Sequence, residues 1–259
     1  MTQLAIAVVA SLAIASLAFA LRALTLGGAI AAFVSGAIVF GIGGWPGAVV
    51  LLAFFVSSSL LSRFGARRKR ALADWGKQGA RDAAQVFANG GIATLCVLFS
   101  RFAPATLALG FAAALSAATA DTWATEIGTL SPRARSILTF RKVARGVSGG
   151  ISLGGTLAQC AGACLIGVVA MEARVAPFWP IALGGIAGAL FDSLLGASAQ
   201  ALRWCPACER SCETDPHVCG TPTTLQRGFS WLGNDAVNFL ATLCGAVVAV
   251  LLARISALR

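Results

Sequence analysis

The chain has 259 residues, of which 58% are hydrophobic and only 12% charged, and its mean hydropathy is +0.82. A soluble domain of this size needs far more charge to cover its surface, so composition places the chain in the membrane class. The formal net charge of +10 would suggest nucleic acid in a soluble protein. Here its placement along the chain matters more than its size, and no nucleic-acid partner is expected.

Run lengths predict the spans. Residues 4–21, 83–100, 102–120, 146–171 and 236–253 carry no charged side chain, and a bilayer core takes about 20 apolar residues per helix. The longer uncharged run, 23–62, reads as two spans broken at Gly43-Gly44-Trp45-Pro46. One more span covers roughly 177–201, interrupted by the single carboxylate Asp192. The expectation is therefore an all-α, polytopic bundle of about eight transmembrane helices forming a single domain over 1–259. Within it lies a cysteine-rich cytoplasmic loop at 203–232. The first apolar run follows Met1-Thr2-Gln3 with no preceding basic residue, so it reads as a retained span and not a secretory signal.

Lysine and arginine placement gives the expected orientation. Arg101, Arg174, Arg254 and Arg259 fall on one side of an eight-span chain, and every other Lys and Arg falls on the opposite side. The positive-inside rule then predicts an integral protein of the inner (cytoplasmic) membrane. Its three long loops (63–82, 128–145, 202–232) lie in the cytoplasm and both termini lie outside. The basic stretch Arg67, Arg68, Lys69, Arg70 is read as a topology signal that also suits anionic headgroups. Paired glycines such as Gly184-Gly185 read as close helix packing.

Four of the ten acidic residues, Asp121, Glu126, Asp192 and Asp235, lie within or against hydrophobic segments. Intramembrane carboxylates are costly and mark function by default. The predicted topology puts all four at the cytoplasmic face. There the spans bearing Asp121 and Asp192 end at their negative dipole ends, which disfavours carboxylates unless a cation sits among them. Hard oxygen donors suit Mg²⁺. Asp121 and Glu126 are about 140° apart on a regular helix, so one ion reaches both only if the helix unwinds. Alternatively, one ligates while the other positions a group or pairs with Arg. The segment Arg145-Gly146-Val147-Ser148-Gly149-Gly150-Ile151-Ser152 reads as the glycine-rich start of the next span, a helix N-terminus suited to phosphate.

These residues resemble the integral-membrane phytyl-phosphate kinase family and its bacterial, archaeal and animal relatives. The matching pieces are Gln85-Val86-Phe87-Ala88-Asn89-Gly90, Ala120-Asp121-Thr122-Trp123-Ala124-Thr125-Glu126-Ile127-Gly128 and Gly146-x-Ser148-Gly149-Gly150-Ile151-Ser152. They continue with Asp192-Ser193-x-x-Gly196-Ala197, His217-Val218-x-Gly220 and Asn234-Asp235-x-Val237-Asn238. The resemblance runs from about residue 27 to residue 248. It implies transfer of a phosphoryl group from a nucleoside triphosphate, plausibly CTP, to an isoprenyl monophosphate. Asp121, Glu126, Asp192 and Asp235 are the expected catalytic and Mg²⁺-binding residues. Lys142, Arg145, Ser148, Gly149, Gly150 and Ser152 are expected around phosphates, with Asn89, Thr122, Ser193, Asn234 and Asn238 supplying neutral contacts. Val147 departs from the family, which commonly has Thr there. The rival readings are a lipid-phosphate nucleotidyltransferase and a transporter or flippase for a phosphorylated lipid.

Four of the eight cysteines share one predicted cytoplasmic loop, as Cys205-Pro206-Ala207-Cys208, Cys212 and His217-Val218-Cys219. The cytoplasm disfavours disulfides, and this spacing suits zinc. The expected ligands are Cys205, Cys208, Cys219 and either Cys212 or His217. His217, the one histidine in the chain, is alternatively a residue acting near the substrate.

Overall fold

The computed structural model describes residues 2–64 and 79–257. The basic residues Arg67, Arg68, Lys69, Arg70 and Lys77, counted above for orientation, lie outside the described residues. The remainder is a helical membrane bundle carrying two small sheets. In chain order the helices are α1 (Thr2–Ala20), α2 (Leu26–Arg63), α3 (Ala83–Leu98), α4 (Pro104–Gly128), α5 (Leu153–Glu172), α6 (Phe178–Ser198) and α7 (Asn234–Ala257). Six of them, all except α3, are long and apolar enough to cross a membrane.

Helix α2 is two arms. Gly44 adopts φ +63°, ψ −162°, a conformation open to glycine, and Pro46 two residues later has no N–H to continue the ladder. The second arm folds back on the first, with Gly47 against Val39 and Phe55 packed into the cluster of Ala18, Leu24 and Ala29. The carbonyls of Phe40 and Gly41 at this break accept from Gln3 Nε2, both at 3.4 Å. Freed carbonyls at membrane depth need such a partner.

Helix α4 is the axis of the bundle. Every residue from Leu109 to Ala120 is buried, and α4 packs against α2, α3, α5, α6 and α7. Lipid tails are as apolar as leucine, so close packing and not the hydrophobic effect holds these helices together. Small residues make it possible. A Cβ on Gly188 would lie 2.6 Å from both Ala117 Cβ and the Ala241 carbonyl, and one on Gly245 would lie 2.8 Å from Ala117 Cβ.

The two later loops are more ordered than an all-α reading anticipates. Strands β1 (Ala134–Ser136), β2 (Lys142–Val143) and β3 (Gly150–Ile151) form one antiparallel sheet in the order β2-β1-β3. Strands β4 (Leu202–Cys205), β5 (Arg210–Cys212) and β6 (Thr224–Arg227) form a second, in the order β5-β4-β6. Both occupy the end of the bundle where α4 and α6 finish and α3, α5 and α7 begin.

This packing predicts that Gly188→Leu destabilises the α4–α6–α7 contact by roughly 1–3 kcal/mol, the usual cost of overpacking. Thermal unfolding of the detergent-solubilised protein should show a lower midpoint for this variant. Leu183→Ala on the exposed side of α6 should leave the midpoint close to that of the parent.

Candidate functional site

A cavity of about 670 Å³ opens at that end of the bundle. One wall is acidic, with Asp121 and Glu126 from the last two turns of α4, Asp192 from α6 and Glu213 from the link after β5. Asp192 feels the charges of Asp121 and Glu213, and Asp121 feels that of Glu126. Asp192 Oδ2 is buried with no hydrogen-bond partner among the described residues. The same cavity also has a basic lining. It carries Arg22 and Arg63 from the α1 and α2 ends and Arg81 from the approach to α3.

Local backbone positions these groups. Helix α4 is continuous to Gly128, so no unwinding brings Asp121 and Glu126 onto one ion. The charge of Glu126 is felt by both Asp121 and Arg81. Arg81 is held by its main chain: its N–H donates to the Ala23 carbonyl at 3.0 Å, and its carbonyl accepts from Thr25 N at 3.0 Å. Gly28 leaves room for that carbonyl, which a side chain there would meet. The guanidinium donates to Ser62 Oγ at 3.3 Å. Asp82 and Gln85 then close a capping box on α3, so α3 starts directly beneath Arg81.

Residues 146–152 differ from the expected helix start. Helix α5 begins only at Leu153, and Ser152 is its N-cap, with Oγ accepting from Gly155 N at 3.1 Å. The preceding residues form a turn and strand β3, because Gly150 and Ile151 pair with Ser136 and Arg135. Gly149 has φ +78°, and a Cβ on it would run into Ala197 of α6. This turn therefore locks against the C-terminal end of α6, one turn beyond Asp192. Its donors are largely engaged within the protein. Ser148 N donates to Glu213 Oε1 at 3.1 Å, and Gly150 N donates to the Val147 carbonyl at 3.0 Å.

Glu213, absent from the residues the sequence singled out, joins the two inserts. Its Oε2 accepts from Gln200 Nε2 at 3.0 Å, and the same amide donates to Ser148 Oγ at 3.0 Å. Burial pushes its carboxyl above the usual carboxylate range, while the bonds from Ser148 and Gln200 and the charge of Arg227 pull the other way. A lone Glu beside Cys212 in a polar segment gives no sequence signal for such a role.

Of the residues expected around substrate, Asn89, Thr122, Ser148, Gly149, Gly150, Ser152, Ser193, Asn234 and Asn238 line the cavity. Asp235, Lys142 and Arg145 do not line it. Asp235 sits in the first turn of α7, where the helix dipole favours a carboxylate. Lys142 and Arg145 are exposed on the β1–β3 sheet and its following turn.

The cysteine-rich insert forms a separate cluster. The ligand atoms of Cys205, Cys208, His217 and Cys219 all lie within 4.8 Å of one another. His217 Nδ1 is 3.1 Å from Cys219 Sγ, and Cys205 Sγ is 3.6 Å from it. Cys212 lies outside this group, its thiol donating to the Thr214 carbonyl at 3.7 Å. Contacts with Thr221 and then His217 hold Cys219 down at about 5, while Cys208 is pushed up to about 11 by its contact with Cys219. His217 is buried in this cluster and does not line the cavity.

The chain is 31% identical to an uncharacterized membrane protein of Methanocaldococcus jannaschii, over 89% of this chain and 86% of the other. It is also 31% identical to Protein PGR of Arabidopsis thaliana, over 93% of both. Protein VTE6 of Arabidopsis chloroplasts is 26% identical, over 88% of this chain and 65% of its own length. No solved structure matches the chain. The family model described as integral membrane protein DUF92 matches residues 9–246, and this multi-pass membrane protein belongs to that family.

Proposed function

We propose that the chain is a membrane lipid kinase that transfers the terminal phosphoryl group of a nucleoside triphosphate, plausibly CTP, to an isoprenyl monophosphate. The observation that carries this reading is a cavity, at one end of the bundle, lined by both carboxylates and arginines. An acidic wall suits a cation-bound triphosphate, and a basic wall suits the anionic acceptor. The motif resemblance to phytyl-phosphate kinases supplies the substrate class. The cavity face is taken as cytoplasmic, on the distribution of Lys and Arg.

The acidic wall fits Mg²⁺. Asp121 and Asp192, with Glu213 nearby, offer hard oxygen donors in one pocket, and Asp192 presents a buried oxygen with no hydrogen-bond partner among the described residues. Bound Mg²⁺ would neutralise charge on the phosphates being separated. Arg81, with Arg22 and Arg63, would hold the acceptor phosphate in line. Gly149 and Gly150 would let the nucleotide approach the backbone closely, more than donate to it, since the neighbouring N–H groups are engaged. The acceptor oxygen is already anionic, so no strong general base is required. A nucleotidyltransferase would use the same walls but release pyrophosphate. A transporter would place its polar groups near the bilayer midplane, whereas these gather at one end of the bundle. For the cysteine cluster we propose a structural zinc site formed by Cys205, Cys208, His217 and Cys219.

Purified protein incubated with CTP or ATP, Mg²⁺ and phytyl or geranylgeranyl monophosphate should yield the diphosphate and a nucleoside diphosphate. Folded protein that forms neither would refute the kinase, and release of pyrophosphate would convert the reading to nucleotidyl transfer. Asp192→Asn should lower turnover about a hundredfold or more while keeping the parent's unfolding midpoint. Chelation should abolish turnover and Mg²⁺ should restore it.

Elemental analysis should find about one zinc per chain, the stoichiometry of a four-ligand structural site. Cys208→Ser and His217→Ala should lose the metal, and Cys212→Ser should keep it. Zinc retained in His217→Ala and lost in Cys212→Ser would reverse the ligand assignment.

A further inference from the structure

A second recess adjoins the polar cavity and is almost wholly apolar. It lies between α1, the two arms of α2, and the start of α3. Its walls are kept hollow by small side chains, among them Ala15, Ala18, Ala32, Ser35 and Gly36. Along the second arm of α2 the lining runs from Trp45 to Phe55, roughly 15 Å of helix. Phe40 and Trp45, with ring centroids 4.6 Å apart, stand at the end nearest the reversal of α2. At the other end the groove shares Arg81, Gln85 and Asn89 with the polar cavity. An apolar slot that opens beside a guanidinium, at the edge of a cavity that also carries acidic groups, is complementary to one kind of molecule: a hydrocarbon chain ending in a phosphate.

We infer that this groove binds the hydrocarbon chain of the acceptor lipid, with the phosphate at Arg81 and the chain end at the Phe40–Trp45 pair. The inference rests on the proposed acceptor class and assigns it a site. It also gives the two walls separate tasks. The acceptor enters from the bilayer between α1, α2 and α3, while the nucleotide enters from water at the α4–α6 side. The two anions then meet between Arg81 and Asp121 without either having to pass the other.

Ser35 offers a direct probe. It is 4% exposed, and its hydroxyl has no hydrogen-bond partner among the described residues. Replacing it with an apolar group therefore sacrifices no hydrogen bond, so Ser35→Leu narrows the groove at little expense to folding. The test uses full-length protein in phosphatidylglycerol nanodiscs without nucleotide, and a geranylgeranyl monophosphate bearing a diazirine at its chain end. Cross-linking followed by peptide mass spectrometry should place adducts on the segments around Phe40 and Trp45. Excess unlabelled geranylgeranyl monophosphate should suppress them at least tenfold better than geranylgeraniol. Arg81→Gln should erase that preference, and Ser35→Leu or Ala32→Phe should cut labelling at least tenfold. Adducts confined to other helices, or labelling displaced equally well by phosphatidylglycerol, would overturn the assignment. Because no turnover is needed, phosphate-dependent labelling of the groove by a protein that phosphorylates nothing would uphold the site while refuting the kinase. Turnover without groove labelling would do the reverse.

Discussion

The arrangement depends on keeping like charges together where water is scarce. Asp121, Asp192 and Glu213 lie within electrostatic reach of one another at the membrane edge of the bundle, and a carboxylate at the centre of a membrane helix costs about 3 kcal/mol on insertion scales. Their mutual repulsion adds to that cost, so such a group persists only on a rigid frame and with positive charge within reach. The frame is visible. Helix α4 is buried along its central half and touched by five other helices. Helix α6 is fixed at its last turn by the Gly149–Ala197 contact, and Gly149 N lies within 2.8 Å of where a Gly196 Cβ would stand. Placing the carboxylates on the C-terminal ends of α4 and α6 makes the local field still more negative, and the arginines that line the same cavity partly answer it.

This charge separation changes what the glycine-rich turn contributes. Helix N-termini and turns bind anions when their N–H groups are free. Here Asp82 caps α3, Ser152 caps α5, and Ser148 N already serves Glu213. In the proposed kinase, attraction for phosphate would then come chiefly from full charges, Arg81 and its neighbours and a cation among the carboxylates. Gly149 and Gly150 matter more for shape. They let the turn sit flush on α6 and keep a side chain from filling the cavity.

Much of this was legible in the sequence. Charge-free runs marked the membrane segments, Gly43-Gly44-Trp45-Pro46 marked the reversal inside α2, and the polar residues within spans marked the end where the cavity lies. The rest escaped for definable reasons. Strands of two to four residues, such as Gly150–Ile151, show no periodicity and are fixed by pairing across the fold. Arg22, Arg63 and Arg81 looked like orientation signals because a linear count cannot tell a loop arginine from a cavity wall. Asp235 and Asn234 are adjacent in sequence yet on different sides of α7, and without the rotation of that helix either reading was open. Glu213 depends on a contact spanning 65 residues with Ser148.

Glu213 also gives the cysteine cluster a reason to exist in a membrane protein. The β4–β5–β6 sheet has strands of four, three and four residues, too small to be stable by its own apolar contacts. Yet it must deliver a buried carboxylate to a fixed place beside Asp192. Cys205 and Cys208 open and close the turn between β4 and β5, and Cys212 immediately precedes Glu213. The proposed zinc site would tie that turn to His217 and Cys219 and close the insert from both sides, and the Arg203–Asp215 ion pair at 3.0 Å fastens its middle. With the metal bound the insert would behave as one arm whose tip is Glu213, coupling order in the cysteine cluster to order among the carboxylates beside Asp192.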